Sequence, residues 1–265
     1  MSGARLACTW RRRAAAGVVT GLLVTLASAC ASAPSTGGHP ASPGRSRATT
    51  TTERAPASTS VPTTTVPPEL LRPGSHGPAV LALQRRLSAL GYWLGTPDGT
   101  FDDATEQAVY ALQKAAGIGR DGIVGPVTEA ALARGALPRP RAASGYVIEV
   151  DLSAELLMIV DDGALQWVLN TSTGGGYRYR DHGSSVLAVT PTGHFEIYRQ
   201  VDGLVVDSLG RLWRPKFFDD GFAIHGDSDV PPVPVSHGCV RVSDEAIDWI
   251  WSDDIAPVGT AVWVY

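Results

Sequence analysis

Between Ala31 and Pro68 the chain consists mostly of Ser, Thr, Pro, Gly and Ala with hardly a large apolar residue, as in Thr49-Thr-Thr-Thr52 and Val61-Pro-Thr-Thr-Thr-Val-Pro-Pro68. Such a stretch cannot bury enough surface to offset its ordering entropy, and it is expected to be a disordered, partly polyproline tether. Any folded unit must therefore be built on one side of it or the other. At about 3.1 Å per residue, its roughly 40 residues reach on the order of 100 Å when extended, and about a third of that as a coil.

On the N-terminal side, Arg5 and Arg11-Arg12-Arg13 precede an uncharged run from Ala14 to Ala29 that ends Leu26-Ala-Ser-Ala-Cys30. A basic start, an apolar middle and a small-residue end, shorter than the roughly 20 residues of a membrane span, predict a secretory signal over residues 1–29. The cysteine after the small triplet resembles a bacterial lipobox, in which that thiol is diacylated. Cys30 is thus the expected lipidation site, opening a segment 30–69 that tethers the chain to a membrane through its lipid. An ordinary signal peptide with a chance cysteine is the alternative. Thr9-Trp-Arg-Arg-Arg-Ala matches a twin-arginine signal only loosely, so both export routes stay open, and both lead outward.

The remainder must carry the function. With 44% hydrophobic residues and a formal charge of −4, the 265-residue chain suits one or two globular domains. A sequence pI near 5.8, with no basic face interleaved with aromatics, argues against a nucleic-acid partner. Cys8, Cys30 and Cys239 fit neither a zinc knuckle nor a disulfide framework.

Residues 70–137 read as three short helices. Pro78 opens the first, Val80, Leu83, Leu87 and Leu90 share a face, and Gly91 ends it. The second carries Ala108, Val109, Leu112 and Ala116 before Gly117. The third starts at Pro126 and carries Ala130, Ala131 and Leu132. Asp98-Gly-Thr-Phe leading to Thr105, and Asp121-Gly-Ile-Val leading to Thr128, repeat one supersecondary unit. Gly74-Ser-His-Gly77, Leu83-Gln84, Leu90-Gly-Tyr92, Leu112-Gln113 and these turns resemble the small three-helix peptidoglycan-binding domain, which implies a wall-targeting module without catalysis. The alternative is a helical spacer.

After a joint at 138–144 the pattern changes to strands, and 145–265 is expected to be a mostly β domain. Tyr146–Val150, Glu155–Val160, Leu165–Thr171, His194–Arg199, Phe222–His225 and Ala261–Tyr265 are short and β-rich. One helix is expected after Ser243, with Asp244 and Glu245 in its first turn and Ala246, Ile247, Ile250 and Trp251 facing inward. Tyr177-Arg-Tyr-Arg-Asp-His182 reads as an exposed lid loop, and Trp213, Trp249, Trp251 and Trp263 as core.

The chemistry concentrates in Phe222-Ala-Ile-His225-Gly-Asp and Ser236-His237-Gly238-Cys239-Val240-Arg241. Cys239 is the one cysteine downstream of the signal and lipobox, and a free thiol outside the cell is a liability unless it is used. Pairing with an imidazole lowers a thiol pKa of about 8.5 by several units. Either histidine could serve; His225, fixed at a strand end, is the expected base, and His237 positions the loop or lines the oxyanion site. Gly238 admits close backbone approach, so the N–H groups of Gly238 and Cys239 are expected to face the developing oxyanion. Two histidines, Cys239 and Asp227 also admit a zinc site, but without supporting ligand spacing; no metal or cofactor is expected.

His225-Gly226 and Ser236-His-Gly-Cys-Val-Arg241 resemble the signature of the YkuD-family L,D-transpeptidases, with Val150-Asp-Leu-Ser153, Ser172-Thr-Gly174 and Thr190-Pro-Thr-Gly193 resembling upstream landmarks. The resemblance implies that Cys239 attacks the third-position diamino acid of a peptidoglycan stem tetrapeptide. D-Ala leaves protonated by His225, and the acyl group passes to a neighbouring stem amine. It implies a base oriented by a backbone carbonyl, here that of Gly226, and carbapenem susceptibility. Ser236 and Arg241 are expected at the substrate, although Arg241 binds either a substrate carboxylate or a carbonyl of its own loop. The partners are peptidoglycan stem peptides and glycan, and the expected location is the cell envelope, membrane-anchored and facing the wall. Open alternatives are an L,D-carboxypeptidase using the same thiol and an inactive wall-binding lipoprotein.

Overall fold

The computed structural model describes residues 70–265, so the signal, Cys30 and the tether lie outside the described residues. Helix α1 (Pro78–Leu90) starts on a proline and ends at Gly91 in the left-handed conformation, φ 92°. In α2 (Asp103–Ala116) the Asp102 side chain caps Thr105 N–H, acidic residues occupy the first turn, and left-handed Gly117 ends the run. α3 (Pro126–Ala133) again starts on proline.

The repeated turns have a shared cause. From α1, Gln84 Oε1 accepts from Asp98 N–H (3.0 Å) and Gly99 N–H (2.7 Å), while Nε2 donates to Asp98 Oδ1, the Thr100 carbonyl and Thr105 Oγ1. From α2, Gln113 accepts from Gly122 N–H and donates to Asp121 Oδ1, the Ile123 carbonyl and Thr128 Oγ1. Each Asp-Gly turn is clamped by one buried glutamine, which satisfies amides that would otherwise be stranded inside the unit.

The β domain holds β1 (Tyr146–Asp151), β2 (Leu156–Asp161), β3 (Ala164–Asn170), β4 (Arg178–Asp181), β5 (Ser184–Leu187), β6 (Gly193–Glu196), β7 (Arg199–Gln200), β8 (Leu204–Asp207), β9 (Gly210–Asp219), β10 (Phe222–Asp227), β11 (Val240–Ser243), helix α4 (Asp244–Ser252) and β12 (Ala261–Val264). One sheet runs β3-β2-β1-β12-β6, with β1 and β12 parallel. A second runs β11-β10-β9-β7, with β8 on β9. Ile148, Val150, Leu157 and Ile159 from the first meet Ile224, Val240 and Val242 from the second and Ile247 and Ile250 from α4 in one core. Ser243 caps α4 as expected, accepting from Ala246 N–H.

One expected loop is a hairpin, and one strand lies where none was expected. Residues 177–182, expected as a loop, carry strand β4 and begin the turn of the β4–β5 hairpin at His182 and Gly183. Strand β9, the longest in the second sheet, is unmarked in the sequence because Pro215 breaks its pattern. Arg214 there has φ 46°, and the register with β10 shifts between Ile224 and Gly226, so the proline occupies an irregularity.

The helical and β parts form one packed body. Gly91–Trp93 joins the edge of β3, Trp93 N–H bonding the Val168 carbonyl (3.1 Å) and Val168 N–H the Gly91 carbonyl (2.9 Å). Leu156 and Val168 are buried with the helical residues, and Trp93 stacks on Trp249 at 5.3 Å. The 138–144 joint is ordered, with the Arg141 and Ala142 amides donating to the buried Glu149 carboxylate.

Candidate active site

The sequence brings its two signature segments together through a parallel pair. β10 and β11 align Ile224 with Val240 and His225 with Arg241, so Cys239, one residue before β11, emerges beside the strand that carries His225. The proline-containing loop between them makes the crossover that parallel neighbours require. Both residues line a cavity of about 550 Å³, walled by Tyr179 and Asp181 of the β4–β5 hairpin, by the β8–β9 hairpin, and by Trp213 and Phe222. Trp213 thus borders the cleft as well as the core, its Nε1 donating to Asp248.

His225 is buried, with Nδ1 2.8 Å from the Gly226 carbonyl. A carbonyl only accepts, so Nδ1 carries the proton and Nε2 keeps its lone pair. Burial holds the imidazole below its usual pKa, opposed by that hydrogen bond. Gly226 has to be glycine because a Cβ there would lie 2.6 Å from both Asp244 Oδ1 and Ile247 Cγ2 of α4.

Cys239 is half-buried, packed with Leu212, Phe217 and Ala223. Its sulfur lies 3.9 Å from the Gly221 carbonyl. Burial pushes the thiol up to about 11, and the Ala223 amide pulls the other way. The expected lowering of the thiol is therefore not present in the resting site. Thiol up and imidazole down both favour a neutral S–H beside a neutral ring over a thiolate–imidazolium pair.

Around Cys239 the loop is internally braced. Ser236, expected at the substrate, is buried; its Oγ donates to the Cys239 carbonyl (2.6 Å) and accepts from Gly238 N–H (3.0 Å). That hydroxyl is spent inside the loop, and so is the Gly238 amide expected at the oxyanion. Gly238 itself, at φ 145°, has no room for a side chain, since a Cβ would lie 2.4 Å from Phe222 Cε1 and 2.7 Å from the Val189 carbonyl. His237 lies edge-on to Tyr179 (4.5 Å) and Tyr177 (5.6 Å), tying the loop to the β4–β5 hairpin. Arg241 lines the cavity with Nε 3.1 Å from Asp227 Oδ2, close enough for an ion pair but off-axis for a hydrogen bond.

Sequence reasoning missed Tyr179, Asp181 and Asp207, which arrive on hairpins read as loop or not read at all. It also missed the role of Thr190, whose hydroxyl donates to the Gly238 carbonyl (2.8 Å) and accepts from Gly174 N–H (3.0 Å). The Thr190-Pro-Thr-Gly193 turn was the available signal.

Residues 145–264 match the L,D-transpeptidase catalytic domain family, YkuD, and residues 76–132 the putative peptidoglycan binding domain family. An L,D-transpeptidase from Xylanimonas cellulosilytica, solved over its residues 123–326, is 48% identical over 75% of this chain and 98% of that one, with a TM-score of 0.73. Two Bacillus licheniformis proteins match shorter stretches. The N-acetylmuramoyl-L-alanine amidase CwlL is 53% identical over 66 residues, and a probable N-acetylmuramoyl-L-alanine amidase 49% over 65. Each of these covers 24% of this chain, and the chain spans only 18% of the length of either. With its Cys239–His225 cleft on a β domain packed to a peptidoglycan-binding-type helical domain, the chain belongs to the YkuD family of L,D-transpeptidases.

Proposed function

We propose that the protein is a cysteine L,D-transpeptidase that cross-links peptidoglycan stems. The observation that carries the reading is His225 Nδ1 fixed on the Gly226 carbonyl, which presents Nε2 as a base in the cavity that Cys239 lines. Because the resting pair is neutral, the S–H proton passes to Nε2 as the sulfur attacks the carbonyl of the third-position diamino acid. The C–S bond forms, the bond to the terminal D-Ala breaks, and His225 returns the proton to the leaving amine. A side-chain amine of a second stem then attacks the thioester, joins the two stems and regenerates the thiol. With the Gly238 amide bonded to Ser236, the Cys239 N–H is the loop donor for the oxyanion, and losing such a donor typically costs about 3 kcal/mol. Arg241, ion-paired to Asp227, keeps its place at the cavity wall, where it meets a substrate carboxylate.

The basic start, apolar run and Cys30 support export and lipid anchoring, with the tether reaching from membrane to wall. In a bacterial host, Cys30→Ala then moves the protein from the membrane fraction to the soluble one. The cleft thiol also makes carbapenem acylation of Cys239 the expected mode of inhibition.

Product analysis tests the activity. Incubated with a disaccharide tetrapeptide, the whole chain releases D-Ala and forms a dimer linked through two third-position residues. Tripeptide without dimer would make it an L,D-carboxypeptidase, and release of no D-Ala would overturn the reading.

A further inference from the structure

Helix α2 of the helical domain turns polar side chains into the β domain. Lys114, 4% exposed in its last turn, places Nζ 2.8 Å from both the Glu155 and the Thr171 carbonyls. Two turns earlier on the same face, Gln107 donates Nε2 to the Val230 carbonyl (3.2 Å) and accepts from Asn170 Nδ2 (2.6 Å), which also reaches Val230 (3.0 Å). Just past the helix, Arg120 Nη1 donates to the Pro232 carbonyl at 3.2 Å.

These contacts land on the parts that hold the nucleophile. Thr171 Oγ1 donates to the Arg241 carbonyl (2.7 Å), and Ser172 and Arg241 exchange backbone bonds of 3.3 and 3.0 Å. Ser236 N–H donates to the Thr173 carbonyl (2.9 Å) and Gly175 N–H to the Ser236 carbonyl (3.0 Å). Residues 171–175 are thus a shelf that grips Ser236 and Arg241, the two ends of the loop that carries Cys239. Glu155 fixes the shelf from below, its carboxylate accepting from Thr173 N–H (2.7 Å) and Oγ1 (2.6 Å). Glu155 has φ 57°, a conformation rare outside glycine that the network maintains.

We propose that α2, with the turn after it, is a positioning element of the catalytic centre: through Lys114 and Gln107 of the helix and Arg120 just beyond it, it holds the 171–175 shelf and the 228–235 loop, and so fixes where Cys239 stands relative to His225. A buried ammonium is a costly way to fill space, and an apolar side chain of similar size would pack there without desolvation. Burial pushes the Lys114 ammonium down to about 7, with Glu155 opposing and Arg120 adding to the fall. What the lysine offers that an apolar residue cannot is two directed bonds, one to Glu155 and one to the shelf. The helical domain then has a part in catalysis besides any contact with the wall.

The proposal rests on Cys239 being the nucleophile, and the experiment separates the two claims by measuring thiol reactivity as well as turnover. In the whole chain, Lys114→Met keeps the aliphatic stem and removes both donors, while Gln107→Ala and Arg120→Ala remove the neighbouring ties without stranding a buried charge. The expected result is a folded Lys114→Met protein whose kcat for D-Ala release falls about tenfold to a hundredfold, with KM for the tetrapeptide within about twofold. Gln107→Ala and Arg120→Ala show smaller falls, and Cys239 alkylation by iodoacetamide shifts in all three. A lower Tm with kcat and alkylation unchanged would overturn the proposal, since a purely structural contact predicts that pattern. If Lys114→Met does not fold, the other two variants decide by the same criteria. If the parent chain forms no product, the transpeptidase reading fails while the alkylation comparison still judges the positioning.

Discussion

The Asp-Gly turns of the helical domain and the Gly238 turn of the nucleophile loop meet the same requirement by different means. In the first, a buried glutamine 8 to 21 residues away in sequence supplies most of the bonds. In the second, Ser236 supplies the local ones, and others come from distant segments, among them Thr190 and Thr171, 48 and 70 residues away from the groups they hold. A clamp made within one helix–turn unit can be duplicated with it, as Gln84 and Gln113 were. A clamp assembled from distant segments depends on the finished fold, and any disturbance of that fold reaches the chemistry. Damage to the helical turns should therefore appear as lost stability, and damage to the nucleophile loop as lost turnover.

His225→Gln gives the largest effect. It removes the base and leaves the shape, and D-Ala release should fall by about 10²–10⁴-fold with a near-normal melting curve. Gly238→Ala comes next: with the Cβ forced against Phe222 and Val189 at positive φ, turnover should drop at least about a hundredfold. Its counterpart Gly99→Ala, at φ 87° with the nearest atom at 3.3 Å, should lower Tm and leave kcat alone. Thr190→Val strands the Gly238 carbonyl and the Gly174 amide, and kcat should fall about tenfold for a stability loss of about 1–3 kcal/mol. Smallest in turnover is Gln84→Leu. It strands the Asp98 and Gly99 amides and should cost about 2–4 kcal/mol in denaturant unfolding, with kcat unchanged at low temperature. A fall in kcat for Gln84→Leu larger than for Thr190→Val would break the comparison.

The pH dependence sharpens it further. With the thiol raised to about 11 and the imidazole lowered, the neutral pair is the populated form through the neutral range. Iodoacetamide alkylation of Cys239 should keep rising with pH past 9, without a plateau at the ordinary thiol value of about 8.5. A plateau near neutrality would mean a preformed ion pair.

Local chemistry explains what could be read in advance. Pro78, Gly91, Gly117 and Ser243 mark helix ends by their own backbone preferences, and the short β-rich runs of β1–β3 need no partner to be visible. His225-Gly226 and the Ser236–Arg241 run are contiguous, so the proposed nucleophile and base were visible as candidates in the sequence. Strand β9 was not, because Pro215 and Arg214 break its pattern at a bulge that is meaningful only beside β10. Nor was the union of the two domains. Lys114 and Gln107 carry no mark of it in the sequence, because their partners, Glu155 and Thr171 for the lysine and Asn170 and Val230 for the glutamine, come from segments distant along the chain. Ser236 was placed at the substrate by its position in the motif, whereas its hydroxyl is used three residues along the chain.

The measurement that tests the central claim most directly is intact-protein mass spectrometry of the whole chain incubated with a disaccharide tetrapeptide, beside Cys239→Ala. The account predicts a covalent adduct equal to the donor less D-Ala, located on Cys239, absent from the variant, and discharged to cross-linked dimer when an acceptor stem is added. An unmodified Cys239 in a folded protein, or undiminished transfer by Cys239→Ala, would contradict it.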